Sequence, residues 1–323
     1  MAAVTVVSTL TSADGSVTDQ DITTEYKYDE YGRLKEAQAK GKVKTKDSQG
    51  VESYSKLSYE YKIIKGQAKL LKSSTLTTSE STEGTSSQDM TVYYAYDAHG
   101  SLVAEGGVHG GKKNADGTLD GKTCGSGTTF SKDHYNNVTY GTITQTYRII
   151  NGEAKVAVSL TMTDAYREGS GAGSVAASRI SRMDLGGGKW DLSKTDISLL
   201  KGSIDLSTNY QGMTVTYAYN EATGVIQSAR GEGTSISFDA YGQPTRGTIL
   251  QTYEIINGQA YVKTSRSDSF TAKEAFFNSE DFLTGKSVSA ISGKEFQRQT
   301  VTTTYKYNRP CGSRSRLHSP YGF

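Results

Sequence analysis

The chain has 323 residues, with 36 Lys plus Arg against 34 Asp plus Glu. That balance leaves no basic field to attract nucleic acid, and no segment approaches the ~18 consecutive apolar residues of a membrane helix. Only 35% of residues are hydrophobic, while Tyr numbers 22 against 8 Phe and 1 Trp. This makeup suits sheets whose half-exposed faces carry Tyr and Thr, because an amphipathic ring packs its body and keeps its hydroxyl wet.

The first residues, Met1 to Leu10, lack the basic start and apolar run of a signal peptide and alternate as a strand does. Two signatures then alternate along the chain. The first is Tyr-x-Tyr-Asp/Asn followed by Gly, at Tyr26 to Gly32, Tyr94 to Gly100 and Tyr217 to Gly224, with a last partial copy at Tyr305 to Asn308. It reads as a strand ending in a turn, where Asp or Asn bonds back to its own backbone and Gly supplies the left-handed position.

The second signature is Tyr-x-Ile-Ile-(Asn/Lys)-Gly-x-Ala, at Tyr61 to Ala68, Tyr147 to Ala154 and Tyr253 to Ala260. Asn-Gly between alternating runs predicts a hairpin with a type I′ turn, since both residues tolerate positive φ. Folding Asn151-Gly152 this way sets Ile150 against Glu153, Ile149 against Ala154, Arg148 against Lys155, Tyr147 against Val156 and Gln145 against Val158. One face then collects Tyr147, Ile149, Ala154, Val156 and Val158, and the other is mostly polar. Asn257-Gly258 pairs Ile255 with Ala260 and Tyr253 with Val262; Lys65-Gly66 pairs Ile63 with Ala68 and Tyr61 with Leu70. Three copies agree in register, and a one-residue slip would turn every side chain to the wrong face. Lys65 replaces the turn Asn in the first copy, which predicts the least stable of the three turns.

The expected fold class is therefore all-β: antiparallel β-hairpin repeat modules in an elongated sheet, solenoid or open sandwich. Residues 1–22 form an N-terminal strand region, 23–90 the first module, 91–213 a second module with a long insertion, 214–300 a third, and 301–308 the start of a fourth. Repeat proteins carry such insertions in loops on one side. The largest is expected between Asp164 and Gln211, and a short helix opened by the capping box Thr271-Ala-Lys-Glu274 between Thr271 and Leu283. In residues 309–323 the alternation stops, and three arginines, two prolines and Cys311 arrive together. The expectation is a truncated array followed by an unrelated tail.

The run Tyr26-Lys-Tyr-Asp-Glu-Tyr-Gly-Arg-Leu34 resembles the YD repeat of Rhs and teneurin-type proteins. The likeness thins at Tyr94 to Leu102, where His99-Gly100-Ser101 stands for Tyr-Gly-Arg, and at Tyr217 to Ile226, which has one extra residue. The resemblance implies an extracellular or cell-surface parent protein, of the kind found among very large repetitive bacterial surface proteins, whose β-repeat shell or stalk encapsulates or presents something else.

The residues best suited to chemistry fall in the second module, which holds His99, His109 and His134 together with Cys124, Asp97, Asp116, Asp120 and Asp133. Imidazole, thiolate and carboxylate are zinc ligands, and a catalytic zinc keeps an open position beside three of them. His99, His109, His134, Asp97 and Cys124 are thus the candidate metal ligands, although no pair has zinc-motif spacing. A calcium loop at Asn114 to Asp120 fails because Lys112 stands where an acid is needed, a phosphate loop at Gly117 to Thr123 is one residue short, and no Gly-x-Ser-x-Gly occurs. Three functions remain: a structural or adhesive segment whose partners are neighbouring repeats, a metal-dependent hydrolase of phosphate or carboxylate esters using zinc, and a carbohydrate-binding module that sets tyrosines against glycans.

Overall fold

A computed structural model describes residues 2–12, 15–47, 50–107, 121–167, 208–238, 244–271 and 297–307. The architecture is all-β and antiparallel, with no helix among the described residues. The first module contributes β2 (Val17–Tyr28), β3 (Leu34–Lys46), β4 (Glu52–Ile64) and β5 (Gln67–Ser81), preceded by β1 (Ala2–Thr11). β6 (Gly84–Tyr93) crosses from the first module into the second, which then contributes the short β7 (Ala95–Tyr96) and β8 (Leu102–Val103), β9 (Cys124–Asp133), β10 (Asn137–Ile150) and β11 (Glu153–Arg167). The third contributes β12 (Thr208–Tyr219), β13 (Ile226–Phe238), β14 (Pro244–Ile256) and β15 (Gln259–Thr271), and β16 (Gln297–Thr304) follows. Fourteen of these form one sheet in chain order, and β7 pairs only with β8. Among the described strands β1 and β16 are the two edges, so the elongated sheet is the form adopted.

All three Ile-Ile hairpins take the expected type I′ turn, with φ of 50° and 78° at Lys65-Gly66, 53° and 78° at Asn151-Gly152, and 51° and 77° at Asn257-Gly258. Their first four pairs match the expected register. Beyond these, each second strand carries a β-bulge. Tyr147 pairs with Val156 but Thr146 pairs with Val158, so Ala157 is skipped and Gln145 meets Ser159 instead of Val158. Leu71 and Lys263 are skipped at the same place in the other two hairpins. The first signature does likewise, skipping Lys35 and Gln227. A bulge adds one residue and strengthens the local twist, so Val158 leaves the face of Tyr147.

The second module breaks the pattern at one point. Val103 pairs with Ala95 and Cys124 with Tyr93, so an insertion between Val103 and Cys124 separates the strand partners of these two neighbouring positions. The other large insertion is shorter than expected, because β11 continues to Arg167 and β12 begins at Thr208. It leaves from the opposite end of the strands, so the insertions do not share one side. Thr271 closes β15, and the rest of the expected helix lies outside the described residues.

The modules interlock at the turn end. The second Tyr of each first signature reaches back to the preceding hairpin: the hydroxyls of Tyr96, Tyr219 and Tyr307 donate to the carbonyls of Leu70, Val156 and Val262 at 2.8, 2.9 and 2.7 Å. The bulge frees a further acceptor, and the Tyr94 and Tyr305 amides donate to the Leu71 and Lys263 carbonyls at 2.9 Å. The Ile-Ile pair splits between the faces. Ile63 and Ile149 lie on the tyrosine side, whereas Ile64 and Ile150, expected on a polar face, are 7% and 3% exposed. They are covered by the next module's turn: a Cβ on Gly100 would stand 3.3 Å from Ile64 Cγ2, and one on Gly224 3.9 Å from Ile150 Cγ2. Glycine is thus required at Gly100 both for its φ of 85° and for this approach.

Candidate functional site

The candidate ligands fall at opposite ends of the strands. His99 sits in the β7–β8 turn, where its amide donates to Asp97 Oδ1 at 2.8 Å. His134 sits in the β9–β10 turn, and its Nε2 meets the Thr82 carbonyl at 2.6 Å. The ten residues of β9 separate those ends, a span of about 30 Å, so the sheet does not bring His99 and His134 together. His109, Asp116 and Asp120 lie outside the described residues. Cys124 opens β9 between Tyr93 and Thr146. Among the described residues no three His, Cys, Asp or Glu side chains converge to hold a metal ion.

Asp97 and Asp133 are occupied by their own turns. Asp97 Oδ1 also accepts from the Ser101 amide, and Asp133 Oδ1 accepts from the amides of Tyr135 and Asn137, all at 2.8 Å. The Ser101 amide, with those of His99 and Gly100, holds the Asp97 carboxyl below the usual range. The Asn137 side chain and backbone do the same for Asp133, and the Arg33 backbone for Asp29. Asp47 makes the same turn, accepting from Val51 N at 2.8 Å. One Asp-x-x-Gly/Asn device therefore closes turns at both ends of the sheet.

A surface property that sequence reasoning missed is the separation of charge. From the register, one face carries Thr18, Gln20, Ile22, Thr24 and Tyr26 on β2, then Ala37 to Thr45 at odd positions on β3 and Ser53 to Tyr61 at odd positions on β4. Extending the same five rows across every pairing to β16 meets no charged residue among the described strands. The other face takes the ions: Asp19, Asp21, Lys40, Lys42, Lys44 and Lys56 in the first module, and Arg230, Glu232, Arg266 and Asp268 in the third. Ion pairs such as Lys44–Glu52 at 3.0 Å and Arg230–Glu232 at 2.6 Å belong to that face.

Two lines of larger side chains cross the neutral face at every second strand. Tyr26, Tyr61, Tyr94, Tyr147, Tyr217, Tyr253 and Tyr305 form one, and Ile22, Leu57, Met90, Ile143, Met213, Ile249 and Val301 the other. Small residues separate them: a Cβ on Gly127 would lie 2.8 Å from Met90 Sδ, and one on Gly125 3.0 Å from the Tyr147 hydroxyl. Ile22, Met90, Tyr147 and Met213 thus lean across neighbouring glycines. The Tyr147 and Tyr253 hydroxyls donate to Gln145 and Gln251 at 2.7 and 2.8 Å. Burial raises the phenol pKa of Tyr61, Tyr94, Tyr147, Tyr217 and Tyr253, and pushes that of Tyr96 up to about 12.

The charged face holds an open depression of about 660 Å³ over β11 to β15, bordered by Leu160, Leu250, Arg230, Glu232, Arg266 and Asp268. Cations and anions alternate around it, and Asp268 meets Arg266 at 3.1 Å and Arg298 at 3.4 Å. Nearby, Asp164 and Arg246 are buried at 0% and 8% exposure in one register row. The fold and its surfaces define a class, an antiparallel meander of interlocked β-hairpin modules. No protein-family model and no curated protein sequence matches the chain.

Proposed function

We propose that the chain is a structural or adhesive segment of a large surface or secreted protein, in which the repeats themselves are the product. The observation that supports this reading most is the interlock. The same hydroxyl-to-carbonyl bond joins successive modules at Tyr96, Tyr219 and Tyr307, and a buried Ile lies under the following turn at Ile64 and Ile150. Contacts that repeat between neighbours, with no closure of the sheet, make stability a sum of module and junction terms, as in repeat arrays. The natural partners of such a segment are further repeats, and the resemblance of Tyr26 to Leu34 to a YD repeat agrees with an exported parent.

Ending the chain after Arg167, which removes the third module, tests the reading. The remaining β1 to β11 should keep its strand circular dichroism and cooperative unfolding. Collapse of the shortened chain would contradict it. Metal analysis of the full chain beside His99→Ala, His109→Ala and His134→Ala supplies the second arm: stoichiometric zinc lost in these variants would favour the metal-dependent hydrolase instead.

A further inference from the structure

We infer that the neutral face is an association surface for a second copy of this chain, the two sheets packing face to face as a sandwich. Charge carries the argument first. Strands in contact with water on both sides have no reason to place every ion on one face, yet five rows across the sheet carry none while the opposite rows hold Lys40, Lys42, Lys44, Asp19 and Asp21. Alternation of charged and uncharged residues is the pattern of a sheet with one side in water and the other packed against a partner.

Size carries it further. Fourteen strands at about 4.8 Å spacing span about 60 Å, and five alternate rows span about 27 Å. The patch is therefore on the order of 1,600 Å² per copy. A standard interface needs about 800 Å² per partner, so the requirement is met even where twist separates half of the two faces. Composition agrees, since interface cores are depleted in charge and enriched in Tyr and Met. The line through Ile22, Leu57, Met90, Ile143, Met213 and Ile249 would supply the apolar centre. A copy of the same face fits better than an ionic partner, because a neutral surface offers an ionic one nothing to pair with, and burying an unpaired charge is costly. This inference does not depend on the structural or adhesive reading: it concerns the chain in solution, whatever the parent does.

Sedimentation velocity and light scattering from 1 to 200 μM test it on the full chain. The wild type should reach twice the 34.8 kDa chain mass. Thr75→Lys with Thr161→Lys, both on the neutral face, should weaken association at least a hundredfold. Thr144→Lys with Thr216→Lys, on the charged face, should leave it unchanged. The decisive arm is rescue. Mixing the double-Lys variant with Thr75→Glu/Thr161→Glu should restore dimers that neither forms alone, which a misfolded variant could not do. A wild type that stays monomeric to 200 μM, dimers that survive the double-Lys change, equal loss in the charged-face control, or no rescue would each overturn the inference. Binding of a soluble neutral glycan by a wild type that stays monomeric would do the same and assign the face to carbohydrate.

Discussion

The two ends of the strands solve the same problem differently. At one end, the turns of the Tyr-x-Tyr and Ile-Ile signatures are short and touch across module boundaries. Asn151 Nδ2 donates to the Ala222 carbonyl at 3.0 Å, Arg148 meets Glu221 at 2.5 Å, and Ile150 is buried beneath Gly224. At the other end, tight Asp turns at Asp47 and Asp133 stand beside connections as long as residues 168–207 and 272–296. Long loops cost little when nothing else depends on their geometry. Repetition is therefore strictest where modules touch and loosest where only chain connectivity must be kept. The one long insertion at the strict end enters between the strand partners of Ala95 and Tyr93.

The largest expected effect breaks the contact end directly. Ile150→Ala removes a side chain 3% exposed and should cost about 3 kcal/mol in urea unfolding, in the range of buried aliphatic truncations. Val51→Ala, in a turn of the loose end, should cost less than about 1 kcal/mol. Equal losses at the two sites would erase the contrast.

A second effect comes from alkali. Burial raises the pKa of Tyr61, Tyr94, Tyr96, Tyr147, Tyr217, Tyr219 and Tyr253 above the ordinary 10.0. A raised folded-state pKa means that the neutral phenol is favoured in the fold, so the stabilisation is complete below pH 10 and is lost as pH rises through the folded values. The phenolate absorbance of these seven should therefore appear late and together with loss of strand circular dichroism. Titration of these tyrosines at the free value, with the sheet intact, would show that the row is not packed as described. The Asp turns have the opposite sign. Asp29, Asp97 and Asp133 are lowered from 3.8, so their contribution is present above that value and fades as pH falls through the folded pKa.

The smallest effect sharpens the comparison within the contact end. Lys65 adopts the same left-handed φ as Asn151 and Asn257, 50° against 53° and 51°. A Lys pays more of the left-handed penalty than Asn, so Lys65→Asn should stabilise by about 0.5–1 kcal/mol, visible as a shifted urea midpoint with unchanged slope.

Much of this is legible in the sequence. Asn-Gly between alternating runs marked two of the hairpins and Lys65-Gly66 the third by analogy, and the agreement of their registers predicted antiparallel hairpin modules, with the elongated sheet one of three possible arrangements. The bulges were not legible, because Lys35, Leu71, Ala157, Gln227 and Lys263 share no side-chain chemistry; what they share is a place in the backbone pairing, and at Leu71 and Lys263 a carbonyl that accepts from the next module. Ile64 and Ile150 were assigned to a polar face because their burial comes from the following module and not from their own hairpin. The neutral face was present in the sequence as strict alternation, as in Thr18-Asp-Gln-Asp-Ile-Thr-Thr-Glu-Tyr26, but only the register across all the strands joins these alternations into one surface. The histidines could not be placed from sequence at all, since nearness along the chain says nothing about which end of a strand a turn occupies.

Hydrogen exchange of the full chain with and without Ile150→Ala tests the central claim, that modules are coupled only through their neighbours, most directly. Protection should fall in β10 to β13, on either side of the weakened junction, while the amides of β2 to β4 exchange as in the wild type. A uniform loss across all strands would mean that the sheet unfolds as one body, and would contradict the account.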